Sequence, residues 1–529
     1  MLPAFSLAVS LALPLAGEPA APHNVVVIVL DDVGCDLIGA YESYFVGQGR
    51  APGAPANTPA IDQLMAARGV TFANAWTAPM CTPSRARLLT GRYGFRTGIG
   101  SVLKENDPAN FRNPGLSSSE VLLPEVLHQA PVPYNCVAVG KWHLADITQL
   151  QADPRHPLGV PPGRWFERYA GSMFNLVQPP NGGAQNVYSS WLKTYASALD
   201  PQVNPCPSGF PPCEVECIAP PVERYASVDT TEDALNVLPT LQEPFFLYVA
   251  YNAVHAPVHS VPGALPQANC PGYVPPTTPC DPGNPGIYAT KLRCVMEALD
   301  GQVGRLLCAL DESDTTVILI GDNGTDPDGI LPPFDPTHGK GTIYEDGCRV
   351  PFIVRSPLVP QAKRGTVSTA LVSSTDVFAT TAALAGASYA APVAQDSLSF
   401  LPELTGSTGP RRKFVYTEGF FSNFRPDPST GWLPANYSAT RHIQAIREKR
   451  FKLIRRWNRD HNDPNLLVMT EEFFDLTKGG PLGPNQQPTP DWFEQNDLLL
   501  GPIQPASRIA RTLALLRSQL DLNYPTVVE

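Results

Sequence analysis

The chain has 529 residues, of which 43% are hydrophobic and 16% charged, with 59 prolines, 11 cysteines and a formal net charge of -11. That length supports a large core, read as one big domain plus a smaller one, and the high proline share predicts long irregular loops around it. The acidic balance argues against nucleic acid or an anionic surface as the bulk partner, yet leaves room for a small anion in a locally basic pocket.

Residues 1–21 read as a signal peptide. The apolar run from Met1 to Ala16 is too short for a spanning helix and fits the central region of a secretory signal, although no Lys or Arg precedes it. The expected location is secreted or periplasmic, with no transmembrane anchor once the signal is removed. Cys206, Cys213, Cys217, Cys270 and Cys280 lie among prolines and read as disulfide staples of an oxidising compartment. With Cys81 set aside, ten cysteines remain, a number that permits full pairing. Zinc fits the 206–217 cluster poorly, since it has no Cys-x-x-Cys pair and no nearby His.

Val25–Leu30 is a continuous β-branched run of the kind buried on both faces of a parallel sheet. It ends in Asp31-Asp32-Val-Gly34, where ligands of open α/β sheets gather. Adjacent carboxylates repel unless something positive lies between them, and a hard, oxygen-liganded cation settles this. Alone, such a string is more often a polar turn. A helix follows from Thr58 to Arg68, with Thr58 as its cap, Pro59 at its start and Gly69 at its close. Next comes Cys81-Thr-Pro-Ser-Arg85, continuing to Thr90-Gly-Arg92. It reads as a helix start with Pro83 in the first helical position and Arg85 one turn on from Cys81, a setting expected to favour a reactive, anionic cysteine.

Ser119 is placed as the cap of a helix through Leu127, leading to a strand at Cys136–Val139 and then Gly140-Lys141-Trp-His143-Leu. Lys141 and His143 point the same way if strand geometry continues. Residues 151–230 are rich in Pro, Gly and Asn and read as an insertion near the active face. Glu232–Leu241 looks helical. Pro244–Tyr251 is a buried strand delivering Asn252 and His255, and a second insertion covers about 260–286. Tyr288–Leu310 keeps a helical apolar stripe that is core packing alone. The strand Thr316–Ile320 ends in Gly321-Asp322-Asn323-Gly324, a second acidic strand end. Asn323 opens a formal glycosylation sequon that is rejected, since Asn323 is expected to be buried on the cation; Asn436-Tyr-Ser438 is the better one. His338-Gly-Lys340-Gly and Glu345–Arg349 form a basic loop before another strand. Domains are drawn as 22–395, an α/β catalytic domain with both insertions, and 396–529, a C-terminal subdomain of short strands with a last helix from Ala506 to Leu520.

Together, Asp31, Asp32, Asp322 and Asn323 offer only oxygens, which favours Ca²⁺ or Mg²⁺. Arg85, Lys141, His143, His255 and Lys340 offer donors suited to a tetrahedral oxyanion. These residues by themselves describe a metal-assisted hydrolase of sulfate or phosphate esters.

The string from Cys81 to Arg92 resembles the signature of the type I sulfatases, in which Cys-x-Pro-x-Arg followed by Thr-Gly-Arg marks the cysteine oxidised to formylglycine. Gly140-Lys-Trp-His-Leu also matches the sulfatase order, and the similarity runs from Val25 to about Leu476 outside the two insertions. The resemblance implies an alkaline-phosphatase-like fold, a mixed and mostly parallel sheet flanked by helices with a smaller antiparallel C-terminal subdomain. It implies one Ca²⁺, with Mg²⁺ as the alternative, held by Asp31, Asp32, the residue made from Cys81, Asp322 and Asn323, and a formylglycine-generating enzyme as maturation partner. By the same resemblance Asp322 activates the formylglycine hydrate. His255, helped by Lys340, protonates the departing alcohol, His143 takes the proton of the second hydroxyl, and Arg85 and Lys141 hold the sulfate; His255 and Lys340 also contact it. The implied substrate is a small-molecule or carbohydrate sulfate ester.

Asp346 and Cys348 depart from the small or aliphatic residues usual in the Glu345–Arg349 stretch, and Cys348 is read as a candidate disulfide partner at the rim. Two rival functions remain. A phosphatase or phosphonate monoester hydrolase of the same superfamily shares the motif, against which Asp31-Asp32 and the Lys141/His143 pair tilt toward sulfate. A sulfated-glycan-binding protein without turnover requires a missing ligand or nucleophile, and none is missing.

Overall fold

The computed structural model describes residues 23–527 apart from 104–112, 153–154, 161, 177–186, 199–221, 264, 277–279, 281–286, 428–438, 461–465, 479 and 481–489. The signal segment, Cys206, Cys213, Cys217 and the Asn436 sequon lie outside the described residues. No helix among the described residues is long and apolar enough to cross a membrane.

Among the described residues nine strands build the main sheet: β1 (Asn24–Leu30), β2 (Val70–Trp76), β3 (Asn135–Gly140), β4 (Arg168–Gly171), β5 (Thr194–Ser197), β6 (Phe245–Ala250), β7 (Thr315–Gly321), β8 (Phe352–Arg355) and β9 (Thr366–Ser373). Their order is β5-β4-β3-β6-β1-β7-β8-β2-β9. The central run β3-β6-β1-β7 is parallel, whereas β8 runs against both its neighbours and β5 against β4. β1 is buried along its whole length because both faces are covered. Val25, Val27 and Val29 join one core, with Ala86, Leu88 and Leu89 of the Cys81–Thr90 helix and Val377 and Phe378 of the Asp376–Leu384 helix. Val26, Ile28 and Leu30 join the other, against Leu292, Val295, Met296, Leu299 and Val303 of the Tyr288–Ala309 helix. The uninterrupted apolar run is what a strand between two helical layers requires.

A four-stranded antiparallel sheet follows, β10 (Val415–Phe421), β11 (Arg441–Arg447), β12 (Phe451–Arg459) and β13 (Leu467–Asp475), in that order. The Arg508–Asn523 helix lays Leu513, Leu516 and Leu520 on it. Trp76, Ile343 and Leu371 share a core with Val415, Ile443, Ala445 and Ile454, so the small sheet is packed on the large one.

Several local expectations change. Thr58 does not cap its helix; its Oγ1 accepts from Gly39 N–H at 3.1 Å, and the following turns are a π-helix over Ile61–Ala66. Ser119 pairs with Ser117 instead of capping, and the helix there is only Leu123–Leu127. Pro83 is the third residue of its helix, still within the first turn where no intrahelical N–H is used. The helix read from Glu232 starts at Ala226 and ends at Val237, with one 3₁₀ turn after it. The first insertion supplies β4 and β5, so part of it extends the sheet edge. Full cysteine pairing is not made: Cys270–Cys308 and Cys280–Cys294 are disulfides, while Cys35, Cys81, Cys136 and Cys348 are free and buried. Cys348 is no rim disulfide, because its Sγ sits in the core 3.1 Å from the Tyr344 carbonyl.

The end of β3 depends on one glycine. Gly140 has φ +91°, and a Cβ there would lie 1.9 Å from the Ala250 carbonyl oxygen of β6. Gly140→Ala is therefore expected to destabilise the protein by more than about 2 kcal/mol, read from the urea unfolding midpoint.

Candidate active site

Because β3, β6, β1 and β7 are parallel and in register, their carboxyl ends finish along one edge. Leu30 pairs with Gly321, which sets Asp31 and Asp32 beside Asp322 and Asn323, and Gly140 pairs with Ala250, which sets Lys141 beside the segment leading to His255. The structure brings all ten residues singled out above to this edge. Asp31, Asp32, Cys81, Arg85, Lys141, His143 and Asn323 have no solvent exposure, while Asp322 and His255 keep a few per cent.

The side chains are cross-braced by charge. The Lys141 ammonium bonds Asp31 Oδ2, and Arg85 Nη2 lies 3.8 Å from Asp31 Oδ1. Arg85 Nε and Nη2 donate to Asp322 Oδ2 at 3.0 and 2.8 Å, and its Nη1 donates to the Lys141 carbonyl at 2.9 Å. Asp322 Oδ1 accepts from Asp32 N–H at 3.1 Å. Asp32 Oδ1 accepts from Asn323 Nδ2 at 2.8 Å, and its Oδ2 accepts from Lys340 Nζ at 2.6 Å, with His255 Nε2 3.9 Å away. His255 Nδ1 lies 2.6 Å from the Ala256 carbonyl, and His143 Nε2 lies 2.8 Å from the Leu103 carbonyl. Both Asp32 (φ 61°) and His143 (φ 59°) have left-handed backbones, a strain of roughly 1–3 kcal/mol each that clusters at functional sites. Strand geometry thus does not continue from Lys141 to His143; the chain turns at Gly140 and again at His143.

Protonation follows burial and neighbours. Burial and Asp322 push Asp31 up to about 8, against Lys141 and Arg85. Burial works against the Asp32 carboxylate too, but Lys340, His255 and Lys141 together hold it well below the usual range. Burial holds His143 well below 6.5, helped by Lys141, and brings His255 down to about 4 despite Asp32. The Cys81 thiol is pushed up by burial, which outweighs Lys141 and Lys340. The expected anionic cysteine is therefore not what this fold makes; unmodified Cys81 is a buried neutral thiol.

Donor atoms of Asp31, Cys81 and Asp322 all lie within 4.8 Å of one another. Asp31 Oδ1 and Asn323 Oδ1 are buried without a hydrogen-bond partner among the described residues. Carboxylate and amide oxygens left open in this way fit a hard divalent cation such as Ca²⁺ or Mg²⁺. Asp31 Oδ2 and Asp32 Oδ2, each bonded to one lysine, keep a second lone pair for the same purpose.

Only part of the string around Cys81 faces this chemistry. Gly91 closes the helix at φ 64°, where a Cβ would meet that of Ala394 at 2.6 Å. Arg92 Nη1 bonds both oxygens of Glu120, at 2.8 and 2.7 Å, away from the carboxylates. Glu345 likewise braces the two sheets through Arg447 Nη1 at 2.6 Å and Lys452 Nζ at 3.3 Å. Sequence reasoning missed Tyr188, whose hydroxyl lies 2.7 and 2.6 Å from the Asn252 and His255 carbonyls and so fixes the His255 loop. Tyr188 also stacks on His259, with centroids 4.0 Å apart. It lies in the first insertion, where no periodicity marks it.

The Sulfatase family model matches residues 23–387. The N-acetylgalactosamine-6-sulfatase of Rattus norvegicus is 31% identical over 430 residues, covering 76% of this chain and 69% of that protein. Arylsulfatase A of Homo sapiens is 30% identical over 444 residues, covering 78% and 73%. Among solved structures, a Bacteroides thetaiotaomicron protein described in the metabolism of multiple glycosaminoglycans superposes with a TM-score of 0.64 at 16% identity, covering 95% of this chain and 96% of that one. A second, solved in complex with its substrate D-glucosamine-2-N,6-O-disulfate, gives 0.60 at 17% identity, covering 95% and 98%.

Two outcomes are expected from this geometry. Ca²⁺ at a hundredfold excess over its Kd is expected to stabilise the protein by about 2.7 kcal/mol, and Asn323→Ala to reduce the gain, measured by calorimetry with and without chelator. His143, His255 and His259 are all kept neutral by burial, the last also at about 4. Unfolded, each takes a proton near 6.5, so their contribution is present above that pH and is lost as pH falls from about 6.5 toward 4. His259→Phe is expected to flatten that slope in urea midpoints measured from pH 7 to 4.5.

Proposed function

The chain belongs to the sulfatase family, and from that premise we propose that it hydrolyses a sulfate ester to an alcohol and inorganic sulfate with residue 81 as formylglycine and one bound divalent cation, Ca²⁺ first and Mg²⁺ as the alternative. The observation that carries this reading is the convergence of Cys81 with Asp31 and Asp322, braced by Arg85 and Lys141, at the ends of parallel strands. Oxidised and hydrated, residue 81 would supply a nucleophilic oxygen, and Asp31, Asp32, Asp322 and Asn323 would hold a divalent cation able to supply Lewis-acid stabilisation of developing negative charge.

The remaining residues bind and move protons. Arg85 and Lys141 are cations at 0% exposure beside residue 81 and hold the sulfate oxygens. Lys340 and His255 share the Asp32 carboxylate. With Nδ1 engaged by the Ala256 carbonyl, His255 uses Nε2 to deliver a proton to the departing oxygen. Its low proton affinity makes it a strong acid once charged, and the anionic ester entering the site favours that charged form. His143 accepts the other proton at Nδ1, which is buried and has no hydrogen-bond partner among the described residues. Asp322, tied to Arg85, activates the hydrate.

Burial supports the maturation order. Cys81 and every other residue of its helix through Thr90 are buried, so a formylglycine-generating enzyme reads this segment before the chain closes over it. The Cys270–Cys308 and Cys280–Cys294 disulfides support a secreted or periplasmic location. The names of the relatives support a sulfated sugar or an aryl sulfate as substrate.

Protein made with the maturation enzyme is expected to carry formylglycine at position 81 by peptide mass spectrometry, and activity from a sample holding only the Cys81 thiol defeats the proposed nucleophile. Aryl sulfate turnover is expected to exceed aryl phosphate turnover; the reverse ranking selects the phosphatase reading, and no turnover of either by matured protein selects the glycan-binding one. His255→Ala is expected to slow an alkyl or sugar sulfate at least about a hundredfold more than a nitrophenyl sulfate, whose phenolate leaves with little help.

A further inference from the structure

His143 Nε2 faces the Leu103 carbonyl oxygen at 2.8 Å. That oxygen only accepts, so the proton sits on Nε2 and Nδ1 keeps its lone pair. The other end of Leu103 is held as well: its N–H donates to Thr82 Oγ1 at 3.2 Å. Thr82 is at 0% exposure and Leu103 at 2%, so neither hydrogen bond is shared with solvent. Thr82 follows Cys81 directly in the first turn of the helix. It stands at a variable position of the signature, between the fixed Cys81 and Pro83.

We infer that Thr82 is a positioning residue for His143: its hydroxyl anchors Leu103, and the Leu103 carbonyl holds the His143 ring in the Nε2–H tautomer with Nδ1 as the basic nitrogen. The helical turn that carries residue 81 thereby also sets the ring that takes a proton from it. An imidazole held by a second, buried hydrogen bond loses no time in the unproductive tautomer, as when a carboxylate orients a catalytic histidine. Replacing Thr82 leaves the Leu103 N–H without its buried acceptor and frees the carbonyl to move. The consequence for turnover rests on the role proposed above for His143; the tautomer itself does not.

Thr82→Val keeps the shape of the side chain and removes the acceptor, while Thr82→Ser keeps the acceptor. In protein with unmodified Cys81 and ¹⁵N-labelled histidine, the His143 ring signals are assigned by their loss in His143→Asn. The wild type and Thr82→Ser are expected to show the Nε2–H tautomer and Thr82→Val a mixture. In matured protein, Thr82→Val is expected to lower kcat about tenfold with KM little changed, and Thr82→Ser to restore it. A Thr82→Val protein with the wild-type His143 spectrum overturns the inference. If the tautomer shifts while neither Thr82→Val nor His143→Ala lowers kcat, the positioning stands and the proton-accepting role of His143 is what fails.

Discussion

The structure depends on one arrangement of charge. Asp31, Asp32 and Asp322 are buried together and are matched by Arg85, Lys141 and Lys340, each of which bonds one of them. Stripping any one of these groups of its partner leaves an uncompensated buried charge, which costs about 3–5 kcal/mol. The strands that end here therefore cannot drift in register without breaking the pairs. A divalent cation bound among these oxygens would add positive charge to the set, which is the condition for drawing in an anionic ester.

Much of this was legible from residues alone because parallel strands advertise themselves. An apolar run such as Val25–Leu30 has to be central, and polar residues directly after it have to lie at a sheet edge. The same logic located Lys141, His255 and Asp322, and the apolar stripe fixed the Tyr288–Ala309 helix to within a residue. Cap and turn chemistry was less legible. Thr58 and Ser119 have the right side chains for caps, but tertiary partners took the first, and the second bonds its neighbour Ser117. The cysteine at the helix mouth shows the same limit. A helix N-terminus and an arginine predict an anion, whereas full burial, which sequence does not display, reverses the result.

The signature around Cys81 divides into chemistry and carpentry. Cys81 and Arg85 meet the carboxylates. Thr90, Gly91 and Arg92 terminate the helix and tie it to Glu120, holding the reacting end at a fixed depth against the sheet. The small antiparallel sheet plays a comparable part from the other side. Through Glu345 it clamps the segment that follows the Lys340 loop, so the position of that lysine is set partly by residues more than a hundred positions away.

The two disulfides join the second insertion to the long helix at separate points, Cys294 in its first half and Cys308 in its last turn. Both anchors lie on an element whose other face is core, and neither sulfur pair belongs to the strand ends. The stretch that follows Cys270 is held both by sulfur and by Tyr273, which is buried in the same core as the helix, so severing the Cys270–Cys308 bond alone leaves it an aromatic anchor.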